Sequence, residues 1–257
     1  NGEELPPWDY RVPGVTSISA DIHKYGYAAK GASTITYRNL DYLRYQMFAY
    51  ENWPGGVFAS SALLGTRPGG AYAAAWGVIQ YFGKQGYRKL AEDTLEAVNR
   101  LKAGIRAIPE LEIIGHPQGP LFSYRSTDPA VNIYAVGDQM DALGWQVNRN
   151  QQPAGLHAMV TAQHLRVVDQ YLADLNTAVA AVRADPSLAE QGGAATYGMM
   201  AHVPLRGMVR KKVLEMYSEQ YRAGGAELDL SSGAGGDGLV DRLVKRYVDY
   251  KSRKATS

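Results

Sequence analysis

Leu90, Val98, Leu101 and Ile105, joined by Thr94, recur three and four residues apart, a spacing that places a helix over residues 87–105 with one face turned inward. Beyond it the period changes. Short strand-like runs at 111–114, 121–124, 145–148 and 156–161 interleave with helical patterns at 133–143 and about 165–183. A chain patterned this way lays helices on a small, mostly antiparallel sheet, an α+β layer.

Ahead of that helix, residues 15–20 alternate β-branched with small side chains and predict a strand running into the polar Asp21-Ile22-His23-Lys24. A second strand is expected at 32–37, after the turn Ala28-Ala29-Lys30-Gly31. The two bracket a loop holding His23, Lys24 and Lys30, and ligand groups commonly gather at strand ends. Residues 51–70, rich in Gly, Pro, Ser and Trp, lack helical periodicity and are read as a long ordered loop. A helix over 70–82 follows. Residues 185–193 read as a linker, and helices are expected at 205–222 and 239–250 around the Gly- and Ser-rich segment 224–238. No internal repeat is visible.

Composition narrows the chemistry. With 46% apolar and 20% charged residues the chain can build a globular core. Its 27 basic and 25 acidic residues are mostly interspersed, so the charge balance points to no nucleic acid. The absence of cysteine removes disulfides and thiolate catalysis, and the five histidines show no metal-ligand spacing, so no metal is expected. No run reaches the roughly 18–20 apolar residues that cross a bilayer. A soluble, cytoplasmic location is therefore expected, with any membrane anchor lying before residue 1. The start, Asn1-Gly2-Glu3-Glu4, resembles neither an initiator nor a signal peptide and reads as a loop inside a longer protein. Basic clusters at 210–212 and 242–254 are read as solvated helix faces, the alternative being a weak attraction to anionic lipid surfaces.

A lysine whose ammonium is partly desolvated or set beside another cation makes a good imine-forming nucleophile, and a neighbouring imidazole can supply a hydrogen-bond donor. Taken alone, a His-Lys pair is usually a solvated loop dipeptide. The residues around it change that reading. Ser17-Ile18-Ser19-Ala20-Asp21-Ile22-His23-Lys24-Tyr25-Gly26-Tyr27-Ala28-Ala29-Lys30-Gly31 resembles the cofactor-lysine segment of the sphingosine-1-phosphate lyases, with Ile22 and Ala29 standing where relatives carry Thr and Pro. A second block, Trp53-Pro54-Gly55-Gly56-Val57-Phe58-Ala59-Ser60-Ser61-Ala62-Leu63-Leu64-Gly65-Thr66-Arg67-Pro68-Gly69-Gly70, resembles the family's loop, with Ser61 and Ala62 in place of its Pro-Thr. Weaker likeness continues through residues 144–148 and 195–200.

The resemblance implies an α/β chain forming the C-terminal part of an aspartate-aminotransferase-like, fold type I enzyme that uses pyridoxal 5'-phosphate. Residues 1–106 would belong to the large cofactor domain and 107–257 would form the small α+β domain. It implies that Lys24 forms the Schiff base with the cofactor, that His23 faces it, and that Gly65 and Thr66 reach the partner subunit's cofactor phosphate in a homodimer with shared sites. Lys30 would handle the substrate phosphate or a proton. The implied reaction is carbon–carbon cleavage of a phosphorylated sphingoid base to a long-chain aldehyde and phosphoethanolamine. An amino-acid decarboxylase on the same scaffold, or a non-catalytic half completed by a partner chain, are the alternatives. The segment supplying the ring-stacking residue and the aspartate for the pyridine nitrogen would precede Asn1. Asp21 is read as a strand-end residue, Tyr25 and Tyr27 as lining the entrance, and Trp53, Trp76 and Trp145 as packing residues.

Overall fold

The computed structural model describes residues 5–195 and 197, together with positions 207, 210, 211, 214, 215, 217, 218, 221 and 222. It divides into two compact units, residues 1–96 with 161–165, and residues 97–160 with 166–257.

In the first unit, β1 (Ser17–Ala20) pairs antiparallel with β2 (Thr34–Tyr37), Ala20 opposite Thr34. A single helical turn, α1 (Leu40–Leu43), follows, its N-terminus capped by the Asn39 side chain accepting from the Tyr42 amide. Residues 51–70, expected as loop throughout, instead contain most of a hairpin, β3 (Phe48–Trp53) with β4 (Gly56–Ser60). The aromatic residues decide this. The Phe58 ring lies 6.1 Å from that of Phe48 and 5.9 Å from that of Trp53, cross-strand contacts that hold a ribbon together. Gly56, at φ +105°, supplies the left-handed corner. Residues 61–68 are the part that stays irregular.

The helix α2 (Gly69–Arg106) starts behind Pro68 with an alanine-rich run and breaks at Gly83, whose φ of 55° and ψ of −173° leave the helical region. The expected pair of helices is thus present, separated by one glycine. The boundary between the two units falls within α2, between Glu96 and Ala97. On the predicted face Thr94, Val98, Leu101 and Ile105 are all buried.

The second unit holds a four-stranded antiparallel sheet in the order β5 (Leu111–Ile113), β6 (Leu121–Ser126), β8 (Ala154–Met159), β7 (Asn148–Gln151). Helix α3 (Ile133–Ala142) packs on β8, β7 and α4 (Val168–Ala184). Asn132 caps α3 by accepting from the Tyr134 and Ala135 amides. The strand expected at 145–148 begins only at Asn148. Trp145 is drawn aside because its indole stands edge-on to Tyr171, 5.0 Å between centroids, and donates to Asp174 at 2.8 Å. Residues expected as a linker form a 3-10 turn, Pro186–Glu190. After it, Asp138 accepts the Ala194 amide while also bonding Arg149, both at close range (2.7 and 2.6 Å). Of the expected C-terminal helices, Gly207, Arg210, Lys211, Leu214, Glu215, Tyr217 and Ser218 are helical, and 239–250 lies outside the described residues.

Tyr124 on β6 and Tyr171 on α4 meet hydroxyl to hydroxyl at 2.7 Å inside this core. Burial pushes the Tyr124 phenol well above the usual tyrosine value and raises that of Tyr171 too. Because the unfolded phenols ionise near pH 10, the stability from keeping them neutral is complete below that pH and is lost as pH climbs toward the folded values. A spectrophotometric titration should show two phenols ionising only as near-ultraviolet dichroism disappears. Tyr124→Phe should cost about 1–3 kcal/mol in denaturant unfolding, since it strands the Tyr171 hydroxyl. Ionisation of every tyrosine with the fold intact would contradict this.

Candidate active site

The loop between β1 and β2 is folded by its own backbone. Asp21 C=O accepts the Lys24 amide at 3.1 Å, Lys24 C=O the Tyr27 amide at 2.9 Å, and Ile22 C=O the Ala28 amide at 3.1 Å. Two residues make so tight a path possible. A Cβ on Gly26 would collide with the Ile22 carbonyl oxygen and come within 2.9 Å of Ile22 Cα. Tyr27 sits at φ +59°, a left-handed conformation that costs a side-chain-bearing residue about 1–2 kcal/mol.

Contacts with α2 offset that cost. Ala28, Ala32 and Ala75 are buried together, with Ile22 and Ala71 packed against them. Only small side chains permit so close an approach, and a Cβ on Gly31 would lie 3.0 Å from that of Ala71. Tyr27 meets Phe82 edge-on at 6.1 Å, and the Tyr87 hydroxyl donates to the Gly26 carbonyl at 2.8 Å. The loop is thereby held on both sides of the Gly83 break.

On this seat Lys24 extends outward, its side chain 64% exposed, with Nζ 2.6 Å from Asp21 Oδ2. The hydroxyl of Ser33 donates to the other oxygen, Asp21 Oδ1. Lys24 first, and Ser33 next, hold the Asp21 carboxyl below its usual range. His23 is mostly covered. Its Nδ1 lies 3.1 Å from the Ala32 carbonyl, which can only accept, so Nδ1 carries a proton in this arrangement. Nε2 is then directed toward the Asp21–Lys24 pair, 3.9 Å from Asp21 Oδ2. Tyr25, beside them, has its phenol pushed up by burial and by Tyr27.

His23 and Lys24 therefore come together with Asp21 and Ser33, two groups that the sequence reading left out of the chemistry. The signal for Asp21 was present as its three-residue spacing from Lys24; that for Ser33 lay only in strand register. Lys30 is exposed near the loop's other end, and Gly65 and Thr66 are exposed on the irregular run before α2. No hydrogen bond among the described residues joins Gly65 or Thr66 to Lys24. Of the tryptophans expected to pack, Trp145 stands against Tyr171 and Trp53 against Phe58, though Trp53 is also exposed, and Trp76 is exposed. No group of histidines and carboxylates among the described residues is arranged to hold a metal, and no helix among them is long and apolar enough to cross a membrane.

Pyridoxal phosphate requires a primary amine for its aldehyde, donors for its phosphate and an acid beside its ring nitrogen. The projecting Lys24 amine fits the first requirement, and the exposed amides and hydroxyl at Gly65 and Thr66 fit the second. Asp21 is committed to Lys24 and Ser33, which leaves it unsuited to the third.

No protein-family model matches the chain. The sphingosine-1-phosphate lyase of Arabidopsis thaliana is 40% identical over 220 residues, covering 86% of this chain and 40% of that protein. The Saccharomyces cerevisiae lyase is 34% identical over 228 residues, 88% of this chain and 38% of that one. Among solved structures, a Burkholderia pseudomallei sphingosine-1-phosphate lyase superposes with a TM-score of 0.69 at 35% identity, over 83% of this chain and 44% of that chain. A glutamate decarboxylase from Lactobacillus brevis, at TM-score 0.57 and 24% identity over 68% of this chain and 42% of its own, shares the fold. The fold is thus the α/β fold of type I pyridoxal phosphate enzymes. The chain spans about two fifths of the length of the curated relatives it matches.

If Gly26 is required by this geometry, Gly26→Ala should lose about 1–3 kcal/mol of stability by overpacking against backbone. Gly65→Ala, whose added Cβ meets open space, should change little. Equal denaturation midpoints for the two variants would show that the loop does not follow this path.

Proposed function

We propose, for a chain that belongs to the sphingosine-1-phosphate lyase family, that it is the lysine-bearing portion of a pyridoxal phosphate-dependent lyase acting on phosphorylated sphingoid bases. The observation that carries this reading is the Lys24 amine, held out toward solvent from a loop whose backbone is fixed against α2. When bound, the cofactor supplies an aldehyde for amines to join and a pyridine ring that takes up the electron pair of the breaking bond.

The chain's own residues do the positioning. Lys24 presents Nζ to the aldehyde, and His23, fixed in one tautomer by the Ala32 carbonyl, flanks it with Nε2. Lys30 is an exposed point charge suited to a phosphate dianion on the substrate. Gly65 and Thr66 offer an amide and a hydroxyl to the cofactor phosphate of a second subunit. In the overall reaction the C2–C3 bond of the substrate breaks, the C3 hydroxyl loses its proton as that carbon becomes the aldehyde, and C2 gains one. The products are a long-chain aldehyde and phosphoethanolamine.

Further support comes from what the first unit leaves uncovered. Tyr45, Val57, Leu63, Trp76 and Tyr81 are each at least two-thirds exposed. So much apolar surface on the turn Arg44–Gln46, the hairpin, the irregular run and α2 is what a surface covered by further protein looks like, and a homodimer with shared sites, completed by the rest of the large domain, would cover it.

Incubating the complete protein with a phosphorylated sphingoid base should release phosphoethanolamine, and Lys24→Ala should reduce turnover by more than about a hundredfold. Carbon dioxide released from amino acids, without phosphoethanolamine, would make the protein a decarboxylase instead. Shared sites are tested by mixing Lys24→Ala chains with Thr66→Trp chains, because the mixed dimer then keeps one site free of both changes. Recovery of activity on subunit exchange is the expected result. Its absence, with exchange verified, would place Thr66 in its own subunit's site or outside the chemistry.

A further inference from the structure

Asp21 has no part in the chemistry above, yet it is the most fully engaged side chain of the loop. The β1–β2 register sets Ala20 opposite Thr34, which brings Ser33 beside Asp21. Ser33 occupies Oδ1 from one side, and the turn closed by the Lys24 amide on the Asp21 carbonyl brings Lys24 back to Oδ2 from the other. We infer that Asp21 is a positioning residue for Lys24: its carboxylate, steadied by Ser33, docks the lysine ammonium whenever the amine is not joined to an aldehyde. This inference rests on Lys24 being the cofactor lysine.

An ion pair this exposed is ordinarily worth little, because holding two mobile side chains in one geometry offsets the attraction. Here one partner is already held. Asp21 is restrained at both ends, by the Ser33 hydroxyl and by the hydrogen-bonded backbone of its own turn, so less freedom is lost when Lys24 docks. The surroundings add little competing charge. His23 Nε2 lies 3.9 Å from the same oxygen, α2 presents Ala71 and Ala75 to the loop, the Tyr87 hydroxyl is bound to Gly26, and the loop's other titratable side chains are Tyr25, Tyr27 and Lys30. Among the described residues Asp21 is the one carboxylate paired with Lys24.

Docking bears directly on reactivity. The lysine attacks a carbonyl carbon only after its ammonium has given a proton to water and freed the nitrogen lone pair. The contact with Asp21 must open before the nitrogen can react, and until then it keeps Nζ at one place on the loop. Removing the carboxylate should leave Lys24 unpaired and less well aimed.

The test uses the complete protein freed of cofactor and measures, at one fixed pH, trace acylation of individual lysines by peptide mass mapping. Asp21→Asn should raise the rate at Lys24 about twofold to fivefold, the size expected of losing an exposed pair that must open before the nitrogen reacts, and leave Lys30 unchanged. Ser33→Ala should raise it by less, and Asp21→Glu should return it part of the way. Equal Lys24 rates in native protein and Asp21→Asn would overturn the inference, as would equal changes at Lys24 and Lys30. Capture of added pyridoxal phosphate at Lys24 is scored separately on the native protein. A changed rate without capture removes the functional reading and leaves the ion pair, whereas capture with an unchanged rate does the reverse.

Discussion

Close packing of alanine against alanine governs the placement of Lys24. Ala28 and Ala32 from the loop lie against Ala75 of α2, and this contact lets a left-handed Tyr27 and a sterically tight Gly26 persist next to Lys24. Larger side chains at these positions would lift the loop away from the helix. Ala28, Gly31 and Ala32 are therefore small for a reason of geometry: they set how closely the loop approaches α2. The Tyr87 hydroxyl and the Phe82 ring, flanking the helix break at Gly83, hold the outer part of the same loop.

The two units are stabilised in different ways. The second has an apolar interior of Val98, Leu101, Ile105, Tyr124, Met140, Leu156, Leu175 and Val182, all nearly or fully buried. Beside that interior Arg149 on β7 bonds both Asp138 and Asp141 at 2.6 Å through Nη2, while its buried Nε has no hydrogen-bond partner among the described residues. The first buries little besides its alanine contact and leaves an aromatic-rich hairpin exposed.

Much of this was legible from residue order. The helix around Leu101 showed in its three- and four-residue spacing, because a half-buried helix must repeat its apolar face at that period. The strand entering Asp21 showed in its alternation. The hairpin at 48–60 did not, since its Gly and Pro residues suggest coil and only the pairing of Phe48, Trp53 and Phe58 across strands reveals a ribbon. Trp145 misled for a related reason: it has strand preference, but an edge-on contact with Tyr171 and a hydrogen bond to Asp174 outweigh it. At the site, Lys24 and His23 stood out through a resemblance, whereas Ser33 could not, because its role depends on which residue of β2 lies opposite the end of β1.

The account stands on Lys24 as the residue that joins the cofactor, and trapping tests this most directly. Borohydride converts an imine to a stable secondary amine, so treatment of the complete protein loaded with pyridoxal phosphate, followed by peptide mapping, locates the attachment. A reduced adduct on Lys24 alone is the predicted result. An adduct on Lys30, or on a lysine outside the β1–β2 loop, with Lys24 unmodified, would contradict the account at its centre.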